Sequence, residues 1–274
     1  MNLKKSLLAL PILSATLLAG CADSNEKYVP RPVDTLYNEA MAQFNEENYS
    51  KAAKLFEELE RQHPGRDKAR RAQLMSALSH YQAREFEEAI HELNTFIKLH
   101  PTDDKITYAY YLLGDSYYRQ IPSIHLEQSD TRMARDKFKA LVARYHNIST
   151  NHPDYKYVKA ARLKIDVTNH HLASKEMQTG RYYQVRQNYG AAIKRFQEVV
   201  RSKDYQNTIN TAEALHRLVE CFLALGIKDE ALNIARWLGH NHPGSEWYTY
   251  SFNLLKDHGL MRPTNPPSTG MIPS

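Results

Sequence analysis

Apolar and polar residues along most of this chain follow the period of an α-helix, and one arrangement of them recurs. Residues 49–56, 86–93 and 189–196 each begin with an aromatic residue and carry small or apolar residues three, four and seven positions later. These positions share one face of a helix with 3.6 residues per turn. The pattern predicts amphipathic helices that pack this face against neighbouring helices.

A proline ends three of the amphipathic helices at a constant distance. It stands twelve residues after the first alanine of the pattern, and His146 and Asp204 hold that offset in two further helices. Proline lacks an N–H and disfavours helical geometry in the residue before it, so it terminates a helix. The three pairs are Ala52 with Pro64, Ala89 with Pro101, and Ala231 with Pro243.

A second pattern marks the helix that precedes each amphipathic one. Residues 110–117 match W-x₂-L-G-x₂-Y, the signature of tetratricopeptide repeats, with Tyr110 in the tryptophan position. Residues 180–183 repeat its second half. The glycine lets two helices approach closely, and we expect the tyrosine three residues later to fill the space beside it.

Together the two patterns predict an all-α protein, an α-solenoid of five tetratricopeptide-like helix pairs over residues 33–260. The third pair contains about eight extra residues, and a helix from residue 157 should run unbroken into the fourth. Residues 261–274 are rich in proline and predict a disordered tail. The pairs lie near residues 33–66, 70–103, 107–148, 173–206 and 212–245.

The first 20 residues predict a lipoprotein signal peptide. A basic start precedes twelve mostly apolar residues, too few to span a bilayer. Residues 18–21, Leu-Ala-Gly-Cys, resemble the bacterial lipobox, in which Cys21 carries covalent lipid. An ordinary signal peptide with a chance cysteine is the alternative. Residues 21–32 would form a lipidated tether, and Ala22 after the cysteine implies the outer membrane, with the fold on its periplasmic face.

Composition and motifs exclude several classes of function. The net charge is +5 over 274 residues, too dilute for a nucleic-acid-binding protein. There is no phosphate-binding glycine loop, metalloprotease motif or nucleophile elbow, so we expect no enzyme, no metal and no cofactor other than the lipid on Cys21. The second cysteine, Cys221, stands among apolar residues and should be buried as a free thiol.

The first helices of the repeats predict a binding groove. In this repeat class, positions 2, 5, 9 and 12 of the first helix face the concave side, and here they carry aromatic residues with arginines nearby. Rings and guanidinium groups suit a peptide that ends in an aromatic residue and a carboxylate. The alternative, that the rings pack between repeats, stays open. The candidate groove residues are Tyr37, Phe44, Arg71, Tyr81, Tyr108, Tyr111, Tyr118 and Arg119.

The lipobox, short tether, five repeats and long helix before residues 180–183 resemble the BamD (ComL/YfiO) family, lipoproteins of the outer-membrane β-barrel assembly machine. The resemblance implies that the N-terminal repeats recognise C-terminal segments of unfolded outer-membrane proteins. It implies that the C-terminal repeats bind a POTRA domain of a BamA-like barrel subunit, beside other Bam lipoproteins. Arg195 matches a family contact residue, with Lys194 and Arg186 near it in sequence. These three cations could instead form an ordinary solvated helix face.

A different tetratricopeptide lipoprotein is the alternative function. A pilotin that carries a secretin to the outer membrane, or a coordinator of peptidoglycan synthesis, would share the anchor and the repeats. Identification of the partner protein distinguishes these from the assembly role.

Overall fold

Eleven α-helices and no strand make up residues 30–260, the part of the chain that the computed structural model describes. The all-α prediction is confirmed. The predictions for the signal peptide, Cys21, most of the tether and the tail fall on residues 1–29 and 261–274, outside the described residues. The helices are α1 (Val33–Asn45), α2 (Tyr49–Gln62), α3 (Asp67–Gln82), α4 (Phe86–Leu99), α5 (Ile106–Tyr118), α6 (Ser129–Arg144), α7 (Tyr155–Val185), α8 (Tyr189–Arg201), α9 (Asn210–Ala224), α10 (Lys228–Asn241) and α11 (Glu246–Asp257).

The helices pack only on near neighbours in the sequence. Within residues 30–260 each helix contacts the next one, and the odd-numbered helices also contact one another, whereas the even-numbered helices do not. Contacts restricted to adjacent repeats define a solenoid. The odd-numbered helices, the first of each pair, therefore form a continuous inner layer on which the groove residues lie.

Four of the five helix pairs share one turn. A residue in the left-handed region follows α1, α3, α7 and α9, and the next N–H bonds back to a carbonyl five residues earlier. This Schellman-type arrangement satisfies carbonyls that the end of a helix leaves free. The third pair instead has a ten-residue link between α5 and α6, as the sequence predicted. The left-handed residues are Glu47, Arg84, Gln187 and Gly226.

Close approach of the paired helices depends on glycine. A Cβ on Gly114 would stand 2.7 Å from the ring of Phe138, and one on Gly180 would stand 2.4 Å from the ring of Phe196. Both rings are fully buried and come from the second helix of the pair. The ring nearest to each glycine crosses from the partner helix, while the tyrosine three residues after each glycine packs against the same core cluster.

Proline follows the ends of α2, α4 and α10, as predicted. His63, His100 and His242 cap α2, α4 and α10, and each precedes a proline. The 31-residue helix α7 is continuous, as the sequence indicated. Helix α11 was not recognised as a repeat helix; it covers α9 and α10 at the end of the solenoid.

Cys221 is a buried free thiol, as predicted, and burial raises its pKa to about 12. A buried thiol with so high a pKa is unreactive at neutral pH. Within residues 30–260, no helix is long and apolar enough to cross a membrane.

Candidate functional site

Five of the predicted groove residues meet in one cluster on the inner layer. We call Tyr81, Tyr108, Tyr111, Tyr118 and Arg119, together with Asp115, Tyr157 and Lys164, the aromatic cluster. Its tyrosine rings are half-buried, so each packs on one side and faces solvent on the other. The cluster draws on α3, α5 and α7, because these three helices contact one another.

A buried carboxylate holds the aromatic cluster together. The side chain of Asp115 is nearly inaccessible and pairs with Lys164. The Tyr81 hydroxyl donates a hydrogen bond to Asp115 at 2.5 Å, and Arg119 Nε donates to the Tyr81 oxygen at 3.0 Å. Burial and the hydrogen bond to Asp115 raise the pKa of Tyr81 to about 12, so the phenol stays protonated. The network fixes both cations within the groove.

Ring contacts join the third repeat to the long helix α7. The Tyr157 ring centroid lies 5.1 Å from that of Tyr108 and 5.5 Å from that of Tyr111. Lys164 Nζ stands 4.2 Å from the centroid of Tyr118, within cation–π range. Burial, with smaller effects of neighbouring groups, raises the pKa of Tyr108 to about 12. This end of the groove is therefore rich in π-electron surface and carries two cations.

The remaining groove residues make no ring contact, hydrogen bond or ion pair with this network among the described residues. Tyr37 packs edge-on against Phe56, and Phe44 packs edge-on against Tyr49, both within the first repeat. Arg71 is exposed near the start of α3 and makes no hydrogen bond or ion pair within residues 30–260. It is thus a cation on the inner layer that is available to a ligand.

Sequence reasoning missed Asp115, Tyr157 and Lys164. In the repeat numbering that places Tyr118 at position 12 of the first helix, Asp115 is at position 9, which is also a groove-facing position. The repeat pattern therefore contained a signal for it. Lys164 lies 49 residues from Asp115 and carries no local signal that links the two. Only the path of α7 brings the lysine to the carboxylate.

The second candidate surface is a cavity of about 500 Å³ beside α8, which we call the cationic cleft. Its basic lining residues come from three segments of the chain. Arg195 Nη1 bonds to Glu176 at 3.1 Å, and Lys194 has no ion-pair partner within the described residues. The cleft combines four cations with two carboxylates, which favours an anionic ligand. The charged lining residues are Arg132, Lys175, Glu176, Lys194, Arg195 and Glu198.

Arg186 does not line the cationic cleft. Its guanidinium carbon lies 3.8 Å from the centroid of the Tyr182 ring, on which it stacks. Arg186 is the C-cap of α7, ahead of the turn that leads to α8. The structure therefore brings Lys194 and Arg195 together and leaves Arg186 in a separate contact.

Metal-ligand clusters are absent from the part of the chain that the structure describes. Across residues 30–260, no group of three or more histidine, cysteine, aspartate or glutamate side chains could hold a metal ion. Both surfaces present rings, hydrogen-bonding groups and charges, which are groups that bind ligands.

Comparison with known proteins gives the family. The sequence profile of the YfiO family, described as outer membrane lipoprotein, matches residues 30–236. The outer membrane protein assembly factor BamD of Rickettsia prowazekii (strain Madrid E) is 41% identical over 261 residues, covering 94% of this chain and 99% of the relative. The protein of the same name from Caulobacter vibrioides is 38% identical over 263 residues, covering 94% of this chain and 83% of the relative.

Among solved structures, the comparison finds the TPR2AB-domain:pHSP90-complex of yeast Sti1. It has 13% sequence identity and a TM-score of 0.39, and the match covers 83% of this chain and 86% of that one.

The profile match spans most of the described solenoid, and the two relatives align over 99% and 83% of their own length. The family resemblance drawn from the sequence is therefore confirmed, and this chain belongs to the YfiO family, described as outer membrane lipoprotein.

Proposed function

We propose that this protein is a lipid-anchored scaffold that assists the assembly of outer membrane proteins. The proposal draws on the relatives, which are named assembly factors, and on the lipobox at Cys21. Lipid at Cys21 would hold the solenoid at the periplasmic face of the outer membrane, because several acyl chains anchor a protein stably. The protein acts by binding, and its two surfaces have separate ligands.

The aromatic cluster and Arg71 bind the C-terminal segment of an unfolded outer membrane protein. The observation that carries this proposal is the cluster itself: half-exposed rings beside fixed cations on the inner layer. A terminal aromatic side chain would stack on the tyrosines. The terminal carboxylate would pair with a guanidinium group, and Arg71 is suited to this because no described residue occupies it.

Peptide binding tests the groove. We expect Tyr81→Ala with Tyr118→Ala to weaken binding of a labelled peptide that ends in Phe. Because those rings also pack, Arg71→Gln is the cleaner variant, since it removes no contact within residues 30–260. Arg71→Gln should weaken the free-acid peptide and leave the C-terminally amidated peptide unchanged. The matched control is Lys203→Gln, an exposed cation in the link between α8 and α9.

Two results would contradict the groove proposal. Equal affinity of wild type and the double tyrosine variant would mean that the rings serve only in packing. An equal loss for free-acid and amidated peptides in Arg71→Gln would mean that the guanidinium does not bind the carboxylate.

The cationic cleft docks an acidic surface of the barrel subunit, a BamA-like protein with POTRA domains. We expect Arg195→Glu to weaken co-purification of that subunit, because the change places a carboxylate beside Glu176 and Glu198. Arg201→Glu is the matched control, since Arg201 is an exposed arginine on the same helix. Unchanged recovery with Arg195→Glu would remove the docking proposal.

A charge swap separates docking from folding at this site. Arg195→Glu combined with Glu176→Arg restores an ion pair inside the protein but not the cation on α8. If Arg195 contacts the partner, the swap should stay defective; if it only stabilises α7 against α8, the swap should recover docking.

The partner itself decides between the assembly role and its alternative. A tagged copy purified from detergent-solubilised outer membrane should bring down a β-barrel protein with POTRA domains. Recovery of a secretin or a cell-wall synthase instead would favour the pilotin or coordinator function.

A further inference from the structure

Besides the aromatic cluster and the cationic cleft, a cavity of about 270 Å³ lies between α7 and the link from α8 to α9. We call it the Asn169 pocket. It shares no lining residue with the aromatic cluster or the cationic cleft. Nearly all of its lining side chains carry oxygen atoms that accept hydrogen bonds. The lining residues are Asp166, Asn169, His170, Asp204, Asn207 and Thr208.

Two residues that line the Asn169 pocket each carry a buried oxygen atom that accepts no hydrogen bond from any described residue. The atoms are Asn169 Oδ1 and Thr208 Oγ1. Asn169 is 7% exposed and Thr208 is 6% exposed. Buried side-chain oxygens are nearly always hydrogen-bonded in folded proteins, and two in residues that line one cavity point to a ligand that donates.

The charges of the pocket also favour a donor that is positive. Asp204 is neutralised from outside, since Lys139 Nζ lies 2.6 Å from both of its carboxylate oxygens and Arg135 lies 3.6 Å away. Asp166 makes no ion pair within residues 30–260. The uncompensated charge of the cavity is therefore the exposed carboxylate of Asp166, and the side chains around it include two amides, a hydroxyl and an imidazole, each of which can accept or donate a hydrogen bond.

Exposed apolar side chains border the pocket in sequence. Leu163 is 60% exposed one turn before Asp166 on α7, and Val167 is also exposed on the same helix. Ile209, which follows Thr208, is 83% exposed. Exposed apolar residues adjacent in sequence to the lining of a polar cavity suit a long side chain that is apolar along its stem and charged at its tip.

We propose that the Asn169 pocket binds the guanidinium group of an arginine side chain from a partner protein. Guanidinium carries five N–H donors in a planar fork and no acceptor, so it can donate to α7 on one edge and to the 204–208 segment on the other. Asp166 supplies the opposite charge, and charged hydrogen bonds are the stronger ones. The exposed leucine, valine and isoleucine contact apolar residues that flank the arginine. This site does not depend on the function proposed for the other two surfaces.

The test uses the full chain in detergent and three fluorescein-labelled peptides, measured by fluorescence anisotropy. The peptides are identical except for a central arginine, citrulline or lysine, each between two leucines. Citrulline keeps the shape of arginine and loses its charge. We expect the arginine peptide to bind about tenfold more tightly than the citrulline peptide, as for loss of a charged hydrogen bond. The lysine peptide should bind more weakly than the arginine peptide.

Variants assign the effect to the pocket. Asp166→Asn should reduce arginine-peptide affinity about tenfold and leave citrulline-peptide affinity unchanged. Thr208→Val should weaken the arginine peptide without lowering the thermal midpoint of unfolding. Asp229→Asn, at an exposed carboxylate on α10, is the control. Equal binding of the arginine and citrulline peptides, or no effect of Asp166→Asn, would overturn the proposal.

Two further results would overturn it in a more specific way. Equal affinity for the lysine peptide would reject guanidinium as the ligand. A lower unfolding midpoint of Thr208→Val with unchanged peptide affinity would make the pocket a hydration site.

Discussion

Replacement of Gly180 by alanine tests the packing of α7 against α8, the helix that carries the cationic cleft. A Cβ at this position would stand 2.4, 2.8 and 2.8 Å from three atoms of the Phe196 ring. The ring is fully buried and rigid, so it cannot turn away as the tip of a flexible side chain would. The new methyl group must therefore push the two helices apart.

The magnitude follows from two opposing effects. Overpacking of a core costs about 1–3 kcal/mol, and three contacts below van der Waals distance place this case near the upper end. Alanine gains about 1 kcal/mol over glycine in helix propensity. We therefore expect Gly180→Ala to lower the free energy of unfolding by about 2 kcal/mol. For a solenoid of this size the thermal midpoint should fall by about 4–8 °C.

Thermal and urea unfolding followed by circular dichroism at 222 nm measure the effect. Gly190→Ala is the matched control, because Gly190 is exposed in α8 and a Cβ there would meet nothing within 4 Å. It should leave stability unchanged or raise it. In a Phe196→Leu background the obstructing ring is absent, so Gly180→Ala should no longer destabilise. A neutral or stabilising Gly180→Ala in the wild-type background would refute the reasoning.

Three further predictions concern titration and the buried carboxylate. Burial lowers the pKa of His80, but hydrogen bonds to two glutamates have the larger effect and raise the pKa above 6.5. The loss of unfolding free energy in His80→Gln, measured by urea unfolding, should thus be largest below pH 6.5 and shrink as the pH rises. Burial raises the pKa of Glu220, but hydrogen bonds from neighbouring side chains have the larger effect and lower the pKa to about 2. Glu220→Gln should therefore be less stable than wild type above pH 4.5 and equally stable near pH 2. Tyr81→Phe removes the hydroxyl that donates to buried Asp115, and thermal unfolding should show a free energy of unfolding lower by about 1–3 kcal/mol. Tyr118→Phe is the control and should not show this loss, because the Tyr118 hydroxyl has no hydrogen bond within residues 30–260.

The repeat helices were predictable because their signals are local. Helical periodicity and the glycine positions depend on residues within one or two turns of each other. The alanine-to-proline distance spans a single helix and marks where it ends. Helix α11 was missed because it follows Pro243, the last proline of the repeat pattern, and lacks the spacing of the other repeats. Its place is set by the exposed face of α9 and α10, which a terminal helix must cover.

The candidate surfaces divide in the same way. The sequence by itself determined that Tyr81 and Tyr118 occupy matching positions of successive repeats with Arg119 next to Tyr118, and that Lys194 and Arg195 lie on one amphipathic helix. Only the tertiary structure decided that Lys164 reaches Asp115 across 49 residues and that Arg132 of α6 and Lys175 of α7 line the same cleft as Arg195. The physical reason is that periodicity fixes which face of a helix a side chain occupies. Which faces meet depends on the length and crossing of helices far apart in the chain.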